Sequence, residues 1–246
     1  MGGFLRSSRL VVGMGLAVSG ALSLSSCSTG RDPLDLSTNE ALYRPVGYEV
    51  QVPTDRPLAL LPIADQRGTI PFEASDSAYP VQWMPDAAWA RSMPVMVHEV
   101  LLRELQNSGL ATSVRSVPAP AAEEVLLEIQ LLDARSGWEE REYGRRAVAS
   151  AAFRVVIKDS ANGLGSRAIL VDETIQQQYF SRVDPHPPLQ PQSFGAALRG
   201  AVLKALQLLD VSNATRSGLE APTELPNFDG SEDEPSNPFG SRGTDR

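Results

Sequence analysis

The stretch RAVASAAFRVVIK, residues 146–158, alternates over its whole length. Ala147, Ala149, Ala151, Phe153, Val155 and Ile157 take one side, with Arg146, Ser150, Arg154 and Lys158 among the residues on the other. Successive side chains of a strand point to opposite faces, so the pattern predicts a long strand with one face buried. Asp159-Ser160-Ala161-Asn162-Gly163-Leu164-Gly165 follows as a cluster of turn formers. From Arg167 to Tyr179 the chain returns with Ile169, Val171, Ile175 and Tyr179 on one face. Two alternating runs about one turn predict an antiparallel hairpin.

Working outward, Val125, Leu127, Ile129 and Leu131 predict a further strand behind the hinge Pro118-Ala119-Pro120. Ser92-Met93-Pro94 carries a capping residue and an early proline, the signature of a helix start. Met93, Val97, Val100, Leu101 and Leu105 give that helix a buried stripe; His98, Glu99, Arg103 and Gln106 face away, and Gly109 ends it. Glu99 and Arg103 are spaced to pair one turn apart. Earlier, Val46, Tyr48, Val50 and Val52 alternate as a short half-buried strand, and the apolar run Leu58 to Ile63 reads as a buried one. Beyond Pro185, Pro187 and Pro188 a last helix is predicted from Ser193 to Asp210, with Phe194, Leu198, Ala201, Val202, Ala205 and Leu209 inward. This order predicts a single α+β domain over residues 46–210, a largely antiparallel sheet with two helices packed on one face.

Residues 1–26 have the form of a secretory signal. Arg6 and Arg9 precede an apolar run from Leu10 to Leu24 that is too short and glycine-rich for a dependable membrane span. Leu24, Ser25, Ser26 and Cys27 resemble the lipobox of bacterial lipoproteins, which implies cleavage before Cys27 and acyl chains on it. The alternative is a plain signal peptide whose apolar run happens to end near a cysteine. Several acyl chains, at about 0.8 kcal/mol per buried CH₂, make an anchor that is effectively permanent. Ser28 rather than Asp follows Cys27, a pattern associated in such lipoproteins with the periplasmic face of the outer membrane. Residues 27–45 are then expected to be the lipidated N-terminus and a flexible tether, and 211–246 a disordered acidic tail. From Leu219 onward that tail sets seven carboxylates against Arg242 and Arg246.

Cys27 is the only cysteine, so no intramolecular disulfide is available and the core must supply the stability. Removing residues 1–26, with two arginines and no acid, takes the formal charge from −8 to −10. Such a balance argues against nucleic acid as a partner and leaves membrane contact to the acyl chains.

No catalytic constellation stands out. His98 lies on the polar face of a helix and His186 in a Pro-rich loop, without the spacing of metal ligands. Gly163-Leu164-Gly165 belongs to a hairpin turn rather than a phosphate loop, and Glu139, Glu140 and Glu142 read as a hairpin end balanced by Arg141, Arg145 and Arg146. No enzyme activity, cofactor or metal is expected. The long stretch 65–91 holds Tyr79, Trp83 and Trp89 before the first helix, and loops of that length are often functional. Trp89 reads as a residue packing helix onto sheet; the sharper expectation is that all three aromatics dock a partner protein.

The early strand ending in Leu61-Pro62-Ile63, Trp89-Ala90 just before Met93-Pro94, the strand Leu126 to Leu132, the long hairpin and a terminal helix from Phe194 form a recognisable order. Together with the lipobox it is similar to the auxiliary lipoproteins of ABC-type and MCE-type transport systems, the PqiC-like group, over roughly residues 46–210. The length of the 65–91 loop and the acidic tail depart from that group. The resemblance implies a non-enzymatic subunit of a transenvelope lipid or solute transporter, with an MCE-domain protein or an ABC permease as partner. The alternative is an envelope-assembly lipoprotein that regulates a peptidoglycan synthase or a secretion complex.

Overall fold

The computed structural model describes residues 34–68, 79–119, 121, 123–159 and 168–219. The lipobox with Cys27, most of the 65–91 loop's centre and the acidic tail from residue 220 lie outside them. Three long strands dominate: β5 (Val125–Arg141), β6 (Gly144–Asp159) and β7 (Ala168–Phe180) form an antiparallel meander. Short strands β1 (Leu58–Leu60), β2 (Ala64–Asp65) and β3 (Val81–Trp83) line up along the other edge of β5, and β4 (Val114–Ser116) lies outside β1. β1 runs parallel to both β4 and β5, so the seven-stranded sheet is open and mixed. Helices α1 (Met93–Ser108) and α2 (Gln190–Arg216) complete a single α+β domain. Their inward residues, among them Met96, Val97, Leu101, Phe194, Leu198 and Val202, share one apolar cluster with Leu127, Ile129, Phe153, Val155 and Ile175 of the sheet.

The alternating run behaves as its chemistry requires. Ala147, Ala149, Ala151, Phe153, Val155 and Ile157 are completely buried, and Phe153 pairs with Leu131 on one side and Ile175 on the other. Val171, Ile175 and Tyr179 face the same way, opposite Ile157, Phe153 and Ala149. Ile169 does not. An irregularity between Ile157 and Lys158 shifts the register, Ile169 comes opposite Lys158, and its side chain is 58% exposed.

Three expectations need correction. Val46–Val52 has the burial alternation of a strand, even-numbered residues half-buried and odd ones exposed, but it joins no ladder. Its backbone donors are taken by helix carboxylates instead. Glu104 on α1 accepts from the Val46 N–H at 3.2 Å, and Asp210 on α2 accepts from Gln51 and Val52 N–H and from the Tyr48 hydroxyl at 2.7–2.9 Å. Within the flexible tether expected over residues 27–45, residues 34–45 are no tether, because Leu36, Leu42 and Tyr43 are buried in the core. Residues 34–57 are therefore an arm laid across both helices. It lies so close that a Cβ on Gly195 of α2 would collide with the Leu42 carbonyl. Finally, α2 runs to Arg216 rather than Asp210, and the buried Asn213 side chain donates to the carbonyls of Val52 and Leu110, tying that extra turn to the arm.

The Glu99–Arg103 pair also forms differently. Glu99 is held by Arg91 at 2.6 Å, while Arg103 donates to the Ser37 carbonyl and stacks over Tyr43. Arg91 reaches Asp35 as well, at 2.8 Å, so one guanidinium clips the start of the arm to the start of α1.

Candidate functional site

The second face of the sheet holds the most distinctive chemistry, and a bulge creates it. Up to Leu131 the odd residues of β5 face the core; the register then jumps from Leu131 to Asp133, and beyond it Ala134 and Ser136 face the core. One extra residue in a strand inverts the phase of everything after it. Asp133, Arg135, Gly137, Glu139 and Arg141 are thereby delivered to the face away from the helices. The core alternation at Val125–Leu131, extended unbroken, puts these same residues inside, which is why the sequence did not single them out as a set. Their own period of two was the available signal.

Aromatic rings lie on these arginines. β3 pairs antiparallel with β5, placing Trp83 opposite Gly137. Glycine is needed there: a Cβ would sit 2.7 Å from both the Gln82 carbonyl oxygen and a Val81 methyl. The Trp83 ring then lies 5.0 Å from the Arg135 guanidinium, Tyr79 4.1 Å from that of Arg141, and Phe180 4.8 Å from that of Arg146. Each cation is also fixed from below by a carboxylate. Asp133, 1% exposed, takes two bonds from Arg135 at 2.6 and 3.0 Å; Glu139, 2% exposed, accepts from both Arg141 and Arg146. Val148, Ser150 and Ala152 share this face on β6 and are buried. In this layer long side chains stand where a helix would.

Two clefts open beside it, each of about 400 Å³. The first is walled by Asp65, Arg67, Asp86, Asp133 and Arg135; the second by Arg67, Asp86, Trp89, Ala90 and Arg91. Arg67 forms the partition between them and bonds Asp65 and Asp86, both at 2.9 Å. Its guanidinium holds the Asp65 carboxyl below the usual carboxylate range, chiefly through their hydrogen bond. Arg91 does the same to Asp35 and Glu99. Carboxylates committed in this way suit recognition and positioning better than proton transfer.

The three expected docking aromatics separate. Trp89 is 9% exposed and packs edge-on against Phe194 at 5.7 Å, so it belongs to the core between α1 and α2. Tyr79 and Trp83 are half-buried on the opposite face, stacked on Arg141 and Arg135. His98 contacts the Ser116 hydroxyl at 2.8 Å, and burial lowers its pKa. Among the described residues no group of three or more potential metal ligands comes together, and no helix is long and apolar enough to cross a membrane.

No protein-family model and no curated protein matches the chain. Solved structures with a similar course include a Xanthomonas campestris protein described as of family DUF330, at 13% identity and a TM-score of 0.48, over 70% of this chain and 98% of that one. A hypothetical protein of Chlamydia trachomatis matches at 12% identity and 0.41, over 66% of this chain and 99% of its own. A Helicobacter pylori protein described as a neuraminyllactose-binding hemagglutinin homolog matches at 9% and 0.36, over 72% and 98%. At such identities and scores these likenesses carry neither family nor function.

Proposed function

We propose that the protein is an outer-membrane-anchored periplasmic lipoprotein, a non-enzymatic auxiliary subunit of a transenvelope lipid or solute transport system of the ABC or MCE type. The observation that carries this reading is the place of Cys27: a single cysteine, directly after an apolar leader and Leu24-Ser25-Ser26. A thiol there is the group an acyl anchor needs, and no second cysteine is present to pair with it within the chain. The packing of the arm supports the reading, because a chain anchored at its N-terminus needs a firm attachment to its own domain. The arginine–aromatic layer supports a protein partner: aromatic and arginine side chains dominate the binding energy of protein interfaces.

The test is crosslinking of the acylated protein in its own cells, with mass spectrometry of what is captured. An MCE-domain protein or a permease is the expected partner. Capture of a peptidoglycan synthase or a secretion subunit in its place overturns the transport assignment.

A further inference from the structure

The place where the arm is fastened to the domain bears on which side can meet a membrane. The Leu34 carbonyl accepts from the Ala90 N–H at 3.1 Å. Arg91 grips Asp35 at 2.8 Å, and Leu36 beyond it is completely buried. The arm is therefore fastened at the turn before α1, beside the cleft walled by Arg67, Asp86, Ala90 and Arg91. Only Ser28, Thr29, Gly30, Arg31, Asp32 and Pro33 separate Leu34 from Cys27. Fully extended, seven residue steps span about 24 Å, at ~3.4 Å each. A compact unit of this size is about 40 Å across.

From this we infer a membrane-facing surface, made of the turn before α1 (Ala87, Ala90), the exposed Val95 and the Arg67–Asp86 cleft, held against lipid headgroups by a leash shorter than the domain. The inference rests on the acylation of Cys27. The occupant is the lipid surface itself, and covalent reach rather than charge imposes the contact. Arg67 and Arg91 are already matched there by Asp35, Asp65, Asp86 and Glu99, so the surface has no cationic excess with which to attract anionic lipid. The contact should accordingly persist at high salt. The far end of α2 is the contrasting position. Ser217 ends α2, and its 22 residues from Gly195, where the arm crosses, span about 33 Å at 1.5 Å per residue.

Acylated full-length protein is reconstituted into vesicles of phosphatidylethanolamine and phosphatidylglycerol carrying a headgroup quencher. Fluorophores are placed on Ala87→Cys, Val95→Cys and Ser217→Cys. A thioether-linked Cys27 does not react with maleimide, so each variant takes one label. The expected result is quenching several-fold stronger at positions 87 and 95 than at 217, unchanged by salt. A Gly/Ser spacer of about 20 residues inserted after Gly30 lengthens the leash to coil dimensions and should erase the difference. Equal quenching at all three positions, or stronger quenching at 217, overturns the proposal while leaving the lipoprotein reading intact. If the unsubstituted protein takes up the dye or fails to float with vesicles, Cys27 is not acylated and that reading falls first.

Discussion

Replacing Asp210 with Ala should release the arm, and the size of the effect can be worked from its contacts. The carboxylate is 1% exposed and accepts three hydrogen bonds, from the Tyr48 hydroxyl at 2.7 Å, the Gln51 N–H at 2.9 Å and the Val52 N–H at 2.7 Å. Hydrogen bonds to a charged group contribute about 1.5–3 kcal/mol each, and a donor stranded in the interior costs about 1–3. Water reaches part of the freed arm, so the three losses do not add in full. A net cost of about 3–5 kcal/mol follows. Against a total stability of about 5–15 kcal/mol this is a large fraction. At about 2–4 °C per kcal/mol for a domain of this length, it should lower the melting temperature by roughly 10 °C. Asp210→Asn should fall between, because its amide nitrogen would face an N–H donor. Urea titration of the two variants, with Tyr48→Phe and the Tyr48→Phe/Asp210→Ala double variant completing a cycle, measures both the total and the coupling. An Asp210→Ala shift below about 1 kcal/mol, or no coupling to Tyr48, would refute the view that helix carboxylates hold the arm.

Trp89→Ala should cost about 3–5 kcal/mol, as an aromatic lost from a core does, whereas Trp83→Ala should leave the melting temperature nearly unchanged and reduce crosslinking to the partner. The reverse pattern in thermal melts would place Trp83 in a structural role. Arg91 holds the carboxyls of Asp35 and Glu99 below their usual range. Their contribution is therefore complete above about pH 5 and is lost as pH falls through the lowered values. Protection of the Ser37 amide against exchange, relative to its intrinsic rate at each pH, should fall over that acid window and stay constant above it, because its N–H donates to Asp35. Burial lowers the His98 pKa from 6.5. Stability should accordingly be full above 6.5 and decline as pH drops below it, a slope that His98→Gln removes in urea titrations. Gly195→Ala drives a Cβ into the Leu42 carbonyl; limited proteolysis should then cut the arm near Tyr43 before it touches the sheet.

The fold class was legible because the residues that decide it are redundant. Thirteen consecutive positions of β6 repeat one message, and both helices carry full apolar stripes. What escaped depended on single residues without a period. The extra residue at Leu132 inverts the face of β5 and makes the arginine layer, yet in sequence it is one leucine in an apolar run. The arm looked like a strand because half-burial against two helices produces the same alternation as half-burial in a sheet. Only the destination of its N–H groups separates the two cases, and those acceptors, Glu104 and Asp210, lie 58 to 159 residues away. Of the three aromatics expected to dock a partner, Trp89 was readable as core from its place beside a helix start. Trp83 acquired its stacking partner only through β3 pairing with β5.

The arm also gives the molecule a mechanical character. Tension applied at the N-terminus meets the Arg91 clip first, then the pockets of Leu36 and Tyr43, then Glu104, and Asp210 last. These fasteners are loaded one after another, so the arm peels. β1, by contrast, lies between two parallel neighbours and is loaded in shear, with its ladder bonds resisting together. Between the two regimes residues 34–57 can be drawn out to an end-to-end span of about 80 Å, at ~3.4 Å per residue. A pull on the N-terminal side of the arm is thus taken up as extension of the arm before the sheet and the arginine face it displays are distorted.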